Sequence, residues 1–109
     1  MTDRAWLLLA VAGLAEVVWA VAMKQSHGFS RLAPTLVMVV GLAVSLVCLA
    51  AALKVLPVGT GYAVWTGIGA AGTAVAGMWL LGEPRDAPRL ACIALIVAGI
   101  VGLRLTTRA

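Results

Sequence analysis

A single carboxylate, Glu16, interrupts an otherwise uncharged run from Ala5 to Met23. A helix of about 17 to 25 apolar residues crosses the hydrocarbon of a bilayer. Glu16 stands about 11 residues into the run, so at about 1.5 Å per residue it lies roughly 16 Å deep, near the bilayer centre. A charge there costs on the order of 3 kcal/mol even on the lenient insertion scale, and an intramembrane acid is by default a functional group. The bland alternative is a protonated glutamic acid giving one structural hydrogen bond. No buried Lys or Arg is at hand to neutralise it.

Low dielectric disfavours the charged form of any carboxyl group, and a second copy facing it does so further by like-charge repulsion. Such a group holds a proton when its surroundings are empty and gives it up to an arriving cation, so the two ligands exclude each other. Exclusive occupancy is the basis of antiport.

The residue types at the same depth suit an organic cation. Ser45 in the second apolar run and Trp65 in the third each come out about 12 Å deep, close to the level of Glu16. Gly13 and Trp19 flank the acid at three-residue spacing on one helix face, and Tyr62 and Trp65 share a face in the same way. An acid, a hydroxyl and the rings of Trp19, Tyr62 and Trp65 would then line one space. Aromatic faces attract desolvated cations, and a carboxylate can take a planar guanidinium through two parallel hydrogen bonds. Nothing there suits an anion.

Each of these residues also has a plainer reading. Trp6 and Trp79 near the span ends fit an interfacial aromatic belt. Ser45 can equally bond back to the carbonyl of Gly41, and His27, in a loop, fits a solvated or turn-stabilising role better than a proton relay. Cys48 and Cys92 have no Cys or His companion at metal-ligand spacing and read as small packing residues. The run from Gly67 to Gly72 matches the dinucleotide fingerprint GxGxxG in letters alone, since no strand precedes it and no acid follows at the ribose distance. Its glycines fit close helix approach or a bend. No metal site, cofactor or nucleophile–base pair is expected, and the chain does not read as an enzyme.

The elements that must position these groups follow from composition. The chain has 109 residues, 63% hydrophobic and 11% charged, with a mean hydropathy of +1.10. That length accommodates about four spans with little left over, and the expectation is an all-α membrane protein forming a single transporter domain over residues 1–109. The spans are read near Ala5 to Met23, Pro34 to Leu53, Leu56 to Leu81 and Ala87 to Leu103. The apolar–polar alternation of a membrane barrel is missing, and helices pair their own backbone groups. The last run relies on Arg89 and Arg104 snorkelling outward. The net charge of +4 comes from basic residues spread singly between apolar runs, which argues against nucleic acid and for membrane-end anchors.

Those anchors are evenly split. One side carries Arg4, Lys54, Arg104 and Arg108, the other Lys24, Arg31, Arg85 and Arg89. Orientation follows a Lys/Arg excess on the cytoplasmic side, so a tie predicts insertion both ways round and an antiparallel dimer of opposed copies. Ala94, Ala98 and Gly102 form a small-residue stripe suited to the dimer seam.

The stretches Gly13-Leu-Ala-Glu16-Val-Val-Trp19, Lys24-Gln-Ser-His-Gly-Phe29-Ser-Arg-Leu, Leu56-Pro-Val-Gly-Thr-Gly-Tyr62-Ala-Val-Trp65-Thr-Gly-Ile-Gly69 and Leu81-Gly-Glu83 resemble the small multidrug resistance family nearly end to end. Trp19 one turn after the acid and the Ser-His-Gly-Phe loop look like its guanidinium-exporting subgroup. The resemblance implies a dual-topology, antiparallel homodimer in the bacterial inner membrane, exchanging guanidinium for protons. It also implies that Glu16 is the shared proton and substrate carboxylate, that Trp19, Ser45, Tyr62 and Trp65 form the hydrogen-bonding network around it, and that Gly13 lines the pocket. Gly61 stands where Ala is usual, and Arg104 where Lys is frequent. Gly61 is expected to loosen the third helix and broaden substrate choice. Two alternatives stay open: a broader exporter of quaternary ammonium and aromatic cations, and a non-transporting helper subunit of a larger membrane protein.

Overall fold

The structure is a computed structural model describing residues 2–106; Arg108, one of the counted anchors, lies outside the described residues. It contains four helices, α1 (Thr2–Gln25), α2 (Leu32–Ala52), α3 (Val58–Leu80) and α4 (Ala87–Thr106). All four are long and apolar enough to cross a membrane. The helix starts follow proline chemistry. Pro34 falls in the first turn of α2, where its missing N–H has no helical partner to lose, so the helix begins two residues earlier, at Leu32. Pro57 caps α3, and Pro88 lies in the first turn of α4.

The helices form a flattened assembly with extents of 43 × 34 × 17 Å, thin enough for only about two helices spaced at 8–10 Å. α1 is central. It packs most extensively on α2, then on α3, while α4 lies against α3. The buried core is one-sided: Ala5, Leu9 and Ala12 of α1 meet Leu49 and Ala52 of α2, Leu56, and Val64 and Trp65 of α3. No described residue of α4 is buried, and Ala94, Ala98 and Cys92 lie exposed on it. Cys92 therefore makes no packing contribution inside one copy, unlike Cys48, which packs against the core.

The two arginines that bound the fourth apolar run do more than snorkel. Arg89 Nη2 donates to Glu83 Oε1 at 2.7 Å, and Arg104 Nη2 to Asp3 Oδ1 at 3.2 Å. The Arg104 guanidinium also lies 4.9 Å from the centroid of the Trp6 ring, a cation–π contact that gives Trp6 a partner beyond the belt role.

Between α1 and α2 the chain turns through three successive left-handed residues, His27 (φ 49°), Gly28 (φ 72°) and Phe29 (φ 69°). That conformation costs a non-glycine residue about 1–2 kcal/mol, and the fully buried Ser26 offsets it. Its hydroxyl donates to the Met23 carbonyl at 2.7 Å and accepts the Phe29 N–H at 3.1 Å. Its carbonyl accepts the N–H groups of Ser30 and Arg31. His27 is exposed, with its carbonyl accepting the Ser30 hydroxyl at 2.8 Å. Ser26→Ala removes both hydroxyl bonds in a closed site and should lower stability by about 1–3 kcal/mol, read as a shifted unfolding midpoint in detergent; an unchanged midpoint would mean that the turn holds without them.

Candidate functional site

α1 and α3 run side by side in the same direction, and glycines set how closely. The space a Cβ would take at Gly13 is occupied by Ile68, and that at Gly72 by Val17. Between them, at Gly69, it is occupied by the Glu16 carboxyl group: Oε1 lies directly over the Gly69 Cα, and a Cβ there would meet the Glu16 Cγ at 2.8 Å. The acid is thus folded into a notch in the facing helix that any larger residue would fill. The fingerprint-like run from Gly67 to Gly72 serves this contact, with Gly67 turned instead to Ile100 of α4.

Glu16 is half-buried. Its Oε1 is shielded and has no hydrogen-bond partner among the described residues, and the same is true of Trp19 Nε1, three residues on. An acceptor and a donor on one helix face are therefore both available to a third party. Trp19 itself packs over α2: a Cβ at Gly41 would lie 3.0 Å from the Trp19 Cβ. Gly41 is thereby committed to α1.

Ser45 and Trp65, placed at matching depth by counting, are joined. Trp65 Nε1 donates to Ser45 Oγ at 2.9 Å. The Ser45 hydroxyl donates in turn to the carbonyl of Ala12 on α1 at 2.7 Å, not to Gly41 on its own helix and not to Glu16. Ser45 is fully buried and Trp65 is 8% exposed, so the chain of bonds is dry. In a helix the Ala12 carbonyl is also the acceptor for the amide of residue 16. The network therefore fixes the backbone turn that carries the acid, while the carboxyl itself stays free. Tyr62 meets Trp65 edge to face, with ring centroids 5.3 Å apart at 74°, and is 55% exposed. It presents an aromatic surface outward from the dry network.

Gly13 is buried under Ile68 and so serves helix approach in this copy, not an open lining. Gly61 is also buried, with its Cβ space taken by the end of the Leu53 side chain. The residue that sequence reasoning left out is Gly69. Its signal was present in the glycine run, whose spacing places Gly69 and Gly72 at the acid's level once α1 and α3 are known to be parallel. Beyond Glu16 the two helices part around a groove of about 390 Å³ lined by Ala20 and Val21 of α1 and Ala70, Thr73 and Ala74 of α3.

Two substitutions separate the roles of these contacts. Ser45→Ala leaves a buried indole N–H unpaired and should cost about 1–3 kcal/mol of stability, measured by unfolding in detergent. Gly69→Ala puts a methyl group where the Glu16 carboxyl lies, and binding of guanidinium, the cation that the sequence resemblance implies, followed by tryptophan fluorescence, should weaken at least about tenfold, or about 1.4 kcal/mol. Undiminished binding by a folded Gly69→Ala protein would show that the notch does not matter.

Comparison with known proteins agrees with the architecture. The Small Multidrug Resistance protein family matches residues 4–96. A protein named guanidinium exporter from Escherichia coli O6:H1 is 60% identical over 102 residues, covering 94% of this chain and 97% of the relative. Proteins of the same name from Yersinia pseudotuberculosis and Salmonella typhimurium are each 54% identical, over 103 and 101 residues, and cover 94% and 93% of this chain. With four membrane-spanning helices and a match over nearly its whole length, this chain belongs to the Small Multidrug Resistance family.

Proposed function

We propose that this chain is a proton-coupled exporter of guanidinium ion in the bacterial inner membrane, with Glu16 as the group that protons and substrate occupy in turn. The observation that carries the reading is the Glu16 carboxyl, deep in a membrane-spanning helix, notched into Gly69 and with a shielded oxygen that no protein donor satisfies. A planar ion with several N–H donors is the complement of such an acceptor. The relatives' name, guanidinium exporter, supports that substrate. The reading is of a carrier, with no bond made or broken in the cargo.

Trp19, Ser45, Tyr62 and Trp65 complete the proposed pocket, with Gly13 and Gly69 setting the helix separation. Exchange follows from competition for one carboxylate. A proton neutralises it and removes its pull on the cation; the cation stabilises the carboxylate and expels the proton. Turnover then requires Glu16 to face one side at a time.

One copy leaves Tyr62 exposed and buries no described residue of α4. A second copy supplies the missing walls. The even split of basic anchors favours an antiparallel pair inserted both ways round, with the Ala94–Ala98–Gly102 stripe of α4, exposed at Ala94 and Ala98, as the proposed seam.

The unpaired Glu16 oxygen suits an ion with free N–H groups better than a quaternary ammonium ion, which needs only room and ring faces. In proteoliposomes with an imposed proton gradient, the native protein should move guanidinium against its concentration gradient, and Glu16→Gln should reduce flux to that of protein-free vesicles. Tetraethylammonium should compete weakly. Proton-driven transport persisting in Glu16→Gln would sink the mechanism, and equal competition by tetraethylammonium would move the reading to a broad cation exporter.

A further inference from the structure

The groove between α1 and α3 has a charged mouth. At the end away from the core its lining passes from Ala70, Thr73 and Ala74 to Gly77, Lys24, Glu83 and Arg89. The carboxyl of Glu83 lies on Gly77 much as that of Glu16 lies on Gly69. A Cβ at Gly77 would come 2.7 Å from the Glu83 carboxyl carbon and 3.1 Å from Oε2, and the Glu83 N–H donates to the Gly77 carbonyl at 3.2 Å. α3 thus seats two carboxylates on two glycines eight residues apart, one deep in the membrane and one at the groove's mouth.

The second carboxylate already holds a guanidinium, that of Arg89. The pair is incomplete. Nη2 donates to Oε1 at 2.7 Å, while Arg89 Nε is buried without a partner, so the two-bond fork open to an Arg–carboxylate pair is not made. Both side chains are about a third exposed, 34% for Arg89 and 37% for Glu83. A single, partly solvated bond that leaves a buried N–H orphaned is readily exchanged.

Building on the guanidinium-export reading above, we propose that Glu83 is a second, peripheral guanidinium site, where the cargo displaces the alkylated guanidinium head group of Arg89 and so opens the groove that leads toward Glu16. The free ion can offer Glu83 the parallel two-bond geometry that Arg89, tethered six residues away, does not reach. Lys24 at the same mouth keeps the local charge positive, so the site holds a cation weakly and releases it, as a transit position must. The other arginine–carboxylate pair, Arg104 with Asp3, is differently placed: Asp3 is 93% exposed and Arg104 rests on Trp6.

Binding of radiolabelled guanidinium to protein in nanodiscs tests this with the deep site removed. The Glu16→Gln protein should retain weak binding, the Glu16→Gln/Glu83→Gln protein should lose it, and Glu16→Gln/Arg89→Gln, which removes the internal competitor, should bind roughly tenfold tighter. Arg89→Met serves in place of Arg89→Gln if the latter fails to fold, since methionine keeps an apolar stem and carries no charge to compete for Glu83. Asp3→Asn on the Glu16→Gln background should leave the binding unchanged. Equal binding with and without Glu83 overturns the proposal, as does displacement of the label by an equal concentration of potassium. These outcomes are separate from the central mechanism, which fails only if Glu16→Gln alone still supports proton-driven flux.

Discussion

A carboxyl group carried to the middle of a bilayer has to be given room, and the room here is a missing side chain. Glu16 lies on the Cα of Gly69, so the distance between α1 and α3 is set where the acid is. Backbone closeness of this kind is how membrane helices gain packing energy where lipid offers no hydrophobic drive. The same contact that holds the helices together therefore also decides how much of the acid is shielded. Any change in the α1–α3 separation must alter the surroundings of Glu16, and anything that binds Glu16 must act on that separation. Coupling of ligand to helix position then needs no long-range path, because the proposed ligand site is the helix contact.

Around that contact the protein divides by packing. The half toward the start of α1 is a dry core in which Trp65, Ser45 and the Ala12 carbonyl are linked and Leu9 and Val64 are fully enclosed. The half beyond Glu16 is a groove floored by Ala and Thr. Ser45 and Trp65 belong to the packed half: they hold the backbone turn that ends at residue 16 and leave its carboxyl unclaimed. Preorganisation of the frame with a free functional group is what exchange between two ligands requires, since a carboxylate tied into the network would have to break protein bonds at every turn of the proposed cycle.

Much of this was legible from spacing. The count of spans and the depth of Glu16 follow from apolar run lengths, and the meeting of Ser45 with Trp65 follows from equal depth on neighbouring helices. The acceptor of the Ser45 hydroxyl was not legible, because depth says nothing about which way a hydroxyl turns, and both Gly41 and Ala12 offer a carbonyl within reach. Gly13 shares the acid's face by spacing, yet it meets Ile68, since helical periodicity gives a direction and not a neighbour. Spacing does not relate Glu83 to Gly77; only the fold brings its carboxyl onto that glycine. The openness of α4 was partly foreshadowed by its stripe of small residues, although a stripe alone does not say that one copy leaves it bare.

The incompleteness of one copy is itself physically informative. In water, an uncovered apolar helix such as α4 would be a liability, but in lipid it costs little, and small residues such as Ala94 and Ala98 leave a smooth face that another helix can approach closely. The half-exposed Glu16 is different: lipid cannot satisfy it. Of the two uncovered features, therefore, it is the acid and not the apolar face that makes a lone copy unfavourable, and the proposed antiparallel pairing is driven by the need to wall off a polar centre. In the proposed pair, whose evenly split basic anchors favour no single orientation, the two copies would meet with their α1–α3 grooves opening toward opposite faces of the membrane. A single sequence then suffices to build both the inward and the outward route to one carboxylate centre.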